Sequence, residues 1–160
     1  MPRAKQAAAR IFAQPARVKS LMRAMLSSDP HLRQRAADTA RRVTERQPEL
    51  LAPHAEALLG LFSESAGDNW RTRAHLGLVV ARVAQSHAQR IRAAGLLMPL
   101  SYDPSNVVRA TAIEGLGMLA RQEPSLRRQF EALAEEALAT GTPAMRNRAE
   151  HGLARLPGRR

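Results

Sequence analysis

Five histidines, His31, His54, His75, His87 and His151, are the side chains of this sequence best suited to acid–base or metal chemistry near neutral pH. Their spacing does not support it. No two form a His-x-x-x-His pair, and no His-Glu-x-x-His occurs. Ser27, Ser28, Ser63 and Ser65 lack the elbow that exposes a nucleophile. Glu135 and Glu136 are adjacent, so on a helix their carboxylates diverge. There is no glycine-rich phosphate loop. The absence of cysteine removes disulfides, thiolate nucleophiles and cysteine-based zinc sites, and fits a reducing, cytoplasmic setting. The expectation is a chain that is not an enzyme, with no cofactor and no metal.

Charge is the other chemical resource. The sequence has 23 arginines against two lysines and a net charge of +11. The excess is uneven: residues 1–46 hold eleven basic and three acidic side chains. Such a surface suits an acidic protein, nucleic acid or another anionic partner. Residues 1–28 contain six basic residues and no acid, the composition of a transit peptide. Against that reading, Val18, Leu21, Met22, Met25 and Leu26 form one apolar helical stripe, as a packed helix requires. Abundant Arg and Ala with scarce Lys points to a GC-rich bacterial genome.

The elements that must position these cations are legible in the punctuation. Asp29-Pro30 leads to Arg35-Ala36, Asp103-Pro104 to Arg109-Ala110, and Thr142-Pro143 to Arg148-Ala149; a looser copy runs from Asp68 to Arg73-Ala74. Between these marks lie Gln14-Pro15, Gln47-Pro48, Gln85-Ser86 and Glu123-Pro124. A capping side chain followed by proline starts a helix, because the first helical N–H needs no partner and the proline φ is already suitable. The two interleaved series therefore predict helix pairs, A then B. A helices are expected near 15, 48, 87 and 124, and B helices near 30, 69, 104 and 143. Pro53 falls inside the second A helix, where it either kinks the helix or ends a separate turn; the kink is the expectation. Hydrophobic residues make up 44% of the chain and aromatics only 3%, so the core is aliphatic and the fold all-α. The longest apolar run, from Ala93 to Leu100, is far short of a membrane span.

Helix pairs repeating at this interval resemble HEAT repeats. "DPSNVVRATAIEGLGMLA" carries the resemblance most closely, through Asp103, Val108, Arg109, Ala110, Leu116 and Gly117. The other units are degenerate: Gln34 replaces the valine, Asp68 stands one residue too near Arg73, and Thr142 replaces the acid. The resemblance implies a right-handed α-solenoid of antiparallel helix pairs, about eight helices plus an N-terminal one. The expected divisions are a basic arm or extra helix over 1–14, four pairs over 15–46, 47–84, 85–121 and 122–157, and a tail over 158–160. Its polar last unit and the terminal Arg159-Arg160 suit a solenoid cap.

The resemblance also implies a hydrogen-bonded ladder between successive units, here Asp29, Arg35, Arg73, Asp103, Arg109 and Arg148. A guanidinium has five donors and can bridge turn carbonyls and a carboxylate. That leaves Arg33, Arg71 and Arg146, in one register, with Arg42 near the end of the first B helix, as cations for a partner on the concave B-helix side. Arg41, Arg46, Arg82, Arg121 and Arg155 also sit near B-helix ends, where a cation complements the helix dipole. Trp70 reads either as packed at the A–B turn or as a partner contact. The expected function is a non-catalytic scaffold binding an acidic protein segment. Alternatives are nucleic-acid backbone binding, self-association through the Met22/Met25 end helix and, remotely, a HEAT-like DNA glycosylase, for which aromatic side chains are too few.

Overall fold

A computed structural model describes residues 2–158. Among them are nine α-helices and no strand: α1 (Pro2–Ala13), α2 (Val18–Met25), α3 (Pro30–Arg46), α4 (Ala55–Ser63), α5 (Trp70–Val83), α6 (His87–Leu97), α7 (Asn106–Gln122), α8 (Arg127–Thr140) and α9 (Pro143–Ala154). The terminal Arg159-Arg160 lies outside the described residues.

The B helices begin where the caps place them, with two shifts. Asp29 accepts from the His31 amide at 2.9 Å, and the Thr142 hydroxyl accepts from the Met145 amide at 3.4 Å. At α5 the cap is Asn69, whose Oδ1 takes the Arg71 and Thr72 amides at 3.0 and 3.1 Å. At α7 the helix starts after Ser105, and Asp103 instead accepts from the Ser105 amide at 2.8 Å. Asp68 and Asp103 are thereby released from capping.

Among the A helices, Pro15, Pro48 and Pro124 each open a short 3-10 turn rather than an α-helix. The kink expected at Pro53 does not form. Residues 48–50 and 52–54 are two successive 3-10 turns, and α4 starts only at Ala55. A proline there lacks the N–H for an α-helical bond and its ring crowds the carbonyl four residues back, so the chain turns twice before the helix takes hold. α6 needs no proline, because Ser86 and Gln89 close a capping box.

Packing sorts the helices into two rows. In the B row, α1 packs on α3, α3 on α5, α5 on α7, and α7 on α9. Across the rows, α2 packs on α3, α4 on α5, α6 on α7, and α8 on α9. The core lies between them and is aliphatic, as composition requires; Leu58, Leu59, Val79, Val80, Ile113 and Leu119 are fully enclosed. Residues 1–14 are therefore not a loose arm in their described part. From Pro2 to Ala13 they form a helix in the B row, with Ala4, Ala8 and Ile11 buried.

Glycines set how closely successive B helices approach. Cδ2 of Leu97 lies 3.0 Å from where a Cβ on Gly77 would stand, and its Cδ1 lies 3.0 Å from the same position on Gly115. One leucine of α6 thus fills a notch shared by α5 and α7. Phe130 of α8 does the same one step on, its ring tip facing Gly117 of α7 and Gly152 of α9. The helix-interior glycines cost propensity but let a large A-row side chain key into two B helices at once.

No described helix is long and apolar enough to cross a membrane. Met22 and Met25 of α2 are 8% and 1% exposed, so these two side chains belong to the core.

Candidate partner-binding cleft on the B-helix face

The repeated arginines divide into two sets, and the division differs from the one expected. Arg33, Arg73, Arg109 and Arg146 are each the fourth residue of their B helix. This register, one turn into the helix, is the one that points back at the A–B turn. Arg33 donates to the Ser27 carbonyl at 3.1 Å and to the Asp68 carboxylate of the next unit. Arg73 donates to the Asp68 carbonyl at 2.6 Å and to Asp103 Oδ2 at 2.8 Å. Arg146 donates to the Gly141 carbonyl of its own turn at 2.8 Å. Two rungs therefore join successive units, Arg33–Asp68 and Arg73–Asp103.

A third rung is missing, and geometry explains it. Arg109 is paired with Asn106 of its own helix, and its Nε is buried without a partner. The position before the α9 cap, which in α5 holds Asp68, holds Gly141. A Cβ there would stand 2.3 Å from the Ala137 carbonyl oxygen, so no acid fits.

Arg33 and Arg146, expected to meet a partner, are thus engaged at the turns, while Arg35, expected in the ladder, is exposed and has no side-chain hydrogen bond or ion pair among the described residues. The slip is two residues. In α3 and α9 two arginines stand two positions apart, and only the tertiary contact decides which faces the turn. Asp29, also expected in the ladder, caps its own helix and receives no arginine among the described residues. Arg148 does bridge units, but on the B-helix face, where its Nε is 3.2 Å from Glu114 Oε2.

That face carries the second set. A cleft of about 410 Å³ opens across α1, α3 and α5, lined by Arg3, Arg35, Asp38, Arg41, Arg42, Arg71 and His75, with Gln34 and Ala4. Asp38, 9% exposed, is its only carboxylate. Arg41 Nη2 and Arg42 Nε lie 3.4 and 3.2 Å from the same Asp38 oxygen, Oδ1. Neither arginine's Nε is aligned for a hydrogen bond, although both are buried. His75 Nε2 stands 4.0 Å from that oxygen. Burial pushes the His75 pKa below its ordinary value; Asp38 opposes this, and Arg41, Arg42 and Arg71 reinforce it. His75 is therefore neutral at pH 7, and the cleft owes its positive potential to guanidinium groups. Arg71 lies over the Trp70 ring at 4.3 Å, a cation–π contact that holds its charge at the rim. Trp70 itself is 37% exposed at the first residue of α5.

A second cleft of about 310 Å³ follows between α5, α7 and α9, with Arg82, Glu114, Arg121, Arg148 and Arg155 on its walls. Glu114 there plays the part of Asp38; each is the ninth residue of its helix. Burial lowers the Arg82 pKa, with Glu114 opposing, and Arg82 Nη1 donates to the Arg41 carbonyl at 3.1 Å, tying α5 to α3.

Arg42 and Arg71, expected on this face, are brought together by the fold. Arg41, read with Arg42 at the end of the first B helix, joins them; Arg3, Asp38 and His75 complete the cleft and were not singled out as its members. The four-residue spacing of Asp38 and Arg42 was a usable signal, since such pairs meet on a helix face. Arg3 had none, because nothing local says that α1 packs on α3.

Among the described residues no three His, Asp or Glu side chains come together in a way that would hold a metal ion. No known protein family, characterised protein or solved structure matches this chain.

Proposed function

We propose that this chain is a non-catalytic interaction scaffold that seats an acidic protein segment in the α1–α3–α5 cleft, and that its two helix rows are a right-handed solenoid of antiparallel, HEAT-like pairs. One observation carries the reading. Five guanidinium groups face a single cleft that offers one carboxylate. Carboxylates arriving from a partner offset that excess of positive charge in the planar, two-oxygen geometry that guanidinium groups favour. Arg33, Arg73 and Arg146 take no part, since the turns already hold them.

The test is fluorescence anisotropy of a labelled Glu/Asp-rich peptide, with a random DNA duplex as competitor, at two salt concentrations. Binding of the peptide that survives moderate salt and is lost in Arg42→Glu/Arg71→Glu supports the proposal. Peptide binding indifferent to that pair of substitutions refutes it. Preferential duplex binding that falls steeply with salt replaces it with the phosphate-backbone reading. The acid-free run of residues 2–28 is the observation favouring that second reading.

A further inference from the structure

Among the described residues the B row has five helices and the A row four, and α1 is the B-row helix with no described A-row helix paired across it. Its position follows from the shared Gln-Pro mark. Setting Gln14-Pro15 against Gln47-Pro48 places Arg3, Ala7 and Arg10 of α1 where α3 has Ala36, Ala40 and Val43. Those three residues of α3 are 4% exposed or less. In α1 the matching side lines an open groove of about 420 Å³ instead.

The floor of that groove is apolar: Ala4, Ala7 and Ile11 from α1, Leu21 and Ala24 from α2, Leu32 and Ala36 from α3. Its rim is Arg3, Arg10, Arg17 and Arg35, all exposed, and no acid lines it. An apolar floor says that a helix side would be buried there. The rim says which kind, since four like charges around a closing interface repel a basic partner, do nothing for a neutral-rimmed one and attract an acidic one.

We infer that the groove beside α1 is a docking site for one amphipathic helix of a partner, apolar on the seated face and carrying carboxylates along both edges, which lies beside α1 as an A helix lies beside each later B helix. The A helices present run from eight to fourteen residues, so two to four turns suffice. Such an occupant lies in the groove by its i, i+3, i+4, i+7 side chains, the usual geometry of a helix in a groove. This groove is distinct from the α1–α3–α5 cleft, although Arg3, Ala4 and Arg35 line both.

Two synthetic helical peptides of about 14 residues, the length of α8, provide the test. Both carry the same leucine stripe; one is flanked by Glu and the other by Lys. Amide shifts of the isotope-labelled full chain are followed by NMR. The Glu peptide should move the signals of Ala7, Ile11, Leu21 and Ala24, and the Lys peptide should not. Arg10→Glu/Arg17→Glu, two exposed positions that leave the core untouched, should reverse the preference by about tenfold, the worth of a few rim ion pairs. Arg42→Glu should leave Glu-peptide binding at these signals unchanged, which separates this site from the cleft. Equal binding of the two peptides, shifts confined to α3 and α5, or no shift at millimolar peptide overturns the inference. So does concentration-dependent self-association abolished by Arg10→Glu, which would make the occupant a second copy of the chain.

Discussion

Arg73 and Asp103 stand 30 residues apart in sequence and 2.8 Å apart in space, one at the start of α5 and the other just ahead of α7. Their side chains are 18% and 7% exposed. The same guanidinium also holds the Asp68 carbonyl at 2.6 Å, so one side chain fixes the turn before its own helix and the turn before the next. Breaking one partner of such a largely buried, hydrogen-bonded pair leaves a charge uncompensated and costs about 3 kcal/mol. Urea unfolding of Arg73→Ala should show that loss, and Arg35→Ala, two residues from Arg33 but free of the turns, should stay within about 0.5 kcal/mol of the parent. Equal losses at both positions would refute the assigned register.

The glycine notches predict opposite signs for the same substitution. At Gly152 an added Cβ would lie 2.4 Å from the Phe130 Cζ, and Phe130 is 1% exposed. Gly152→Ala must push the ring out of its seat and should cost about 1–3 kcal/mol by thermal or urea unfolding. Gly60 in α4 and Gly95 in α6 have nothing within 4 Å of an added Cβ. There the methyl only restricts the unfolded chain and improves helix propensity, so each Gly→Ala change should stabilise by about 0.5–1 kcal/mol.

Acid should loosen the junction between α6 and the turn after α7. Glu123 accepts from His87 at 2.9 Å, Ser125 at 2.9 Å and Arg90 at 3.3 Å. The hydrogen bond with His87, then that from Ser125, then that from Arg90 hold its pKa at about 2 against an ordinary 4.5, with burial opposing. Because the folded value is the lower one, the stabilisation is complete above about pH 4.5 and disappears as pH falls towards 2. Unfolding curves measured across that interval should steepen their pH dependence in the parent and flatten in Glu123→Gln. An unchanged slope in the variant would show that Glu123 is not the linked group.

His75 predicts a dependence in a different window. Burial, ahead of Arg41, Arg42 and Arg71, lowers its pKa below 6.5. The unfolded chain therefore takes a proton that the folded chain resists, and stability present above about pH 6.5 is eroded as pH falls below it. The His75 ring signal followed by NMR should titrate below the unfolded value. Addition of a Glu/Asp-rich peptide should raise that midpoint if carboxylates enter the cleft, so binding should tighten on acidification. A midpoint that does not move with saturating peptide would place the peptide elsewhere.

Much of this molecule follows from local signals. Asp29-Pro30 and Thr142-Pro143 start helices because a cap and a proline act within one turn of chain, and the aliphatic stripe of residues 18–26 marks α2 by spacing alone. Those interactions are short-range, so they can be read wherever they occur. Pro53 was ambiguous because a proline locally permits a kink or two turns; here residues 48–50 and 52–54 form two turns and α4 starts at Ala55. The fate of each arginine was decided at longer range. Arg33 and Arg35, or Arg146 and Arg148, are equivalent to a linear reading; which one bonds the turn depends on a helix rotation fixed by packing on the neighbouring unit. The cleft is wholly of this second kind. Asp38 and Arg42 are neighbours on one helix, but Arg3 and His75 reach them only because α1 and α5 flank α3, and hydrophobic burial across the B row, with no directional code of its own, is what brings them there.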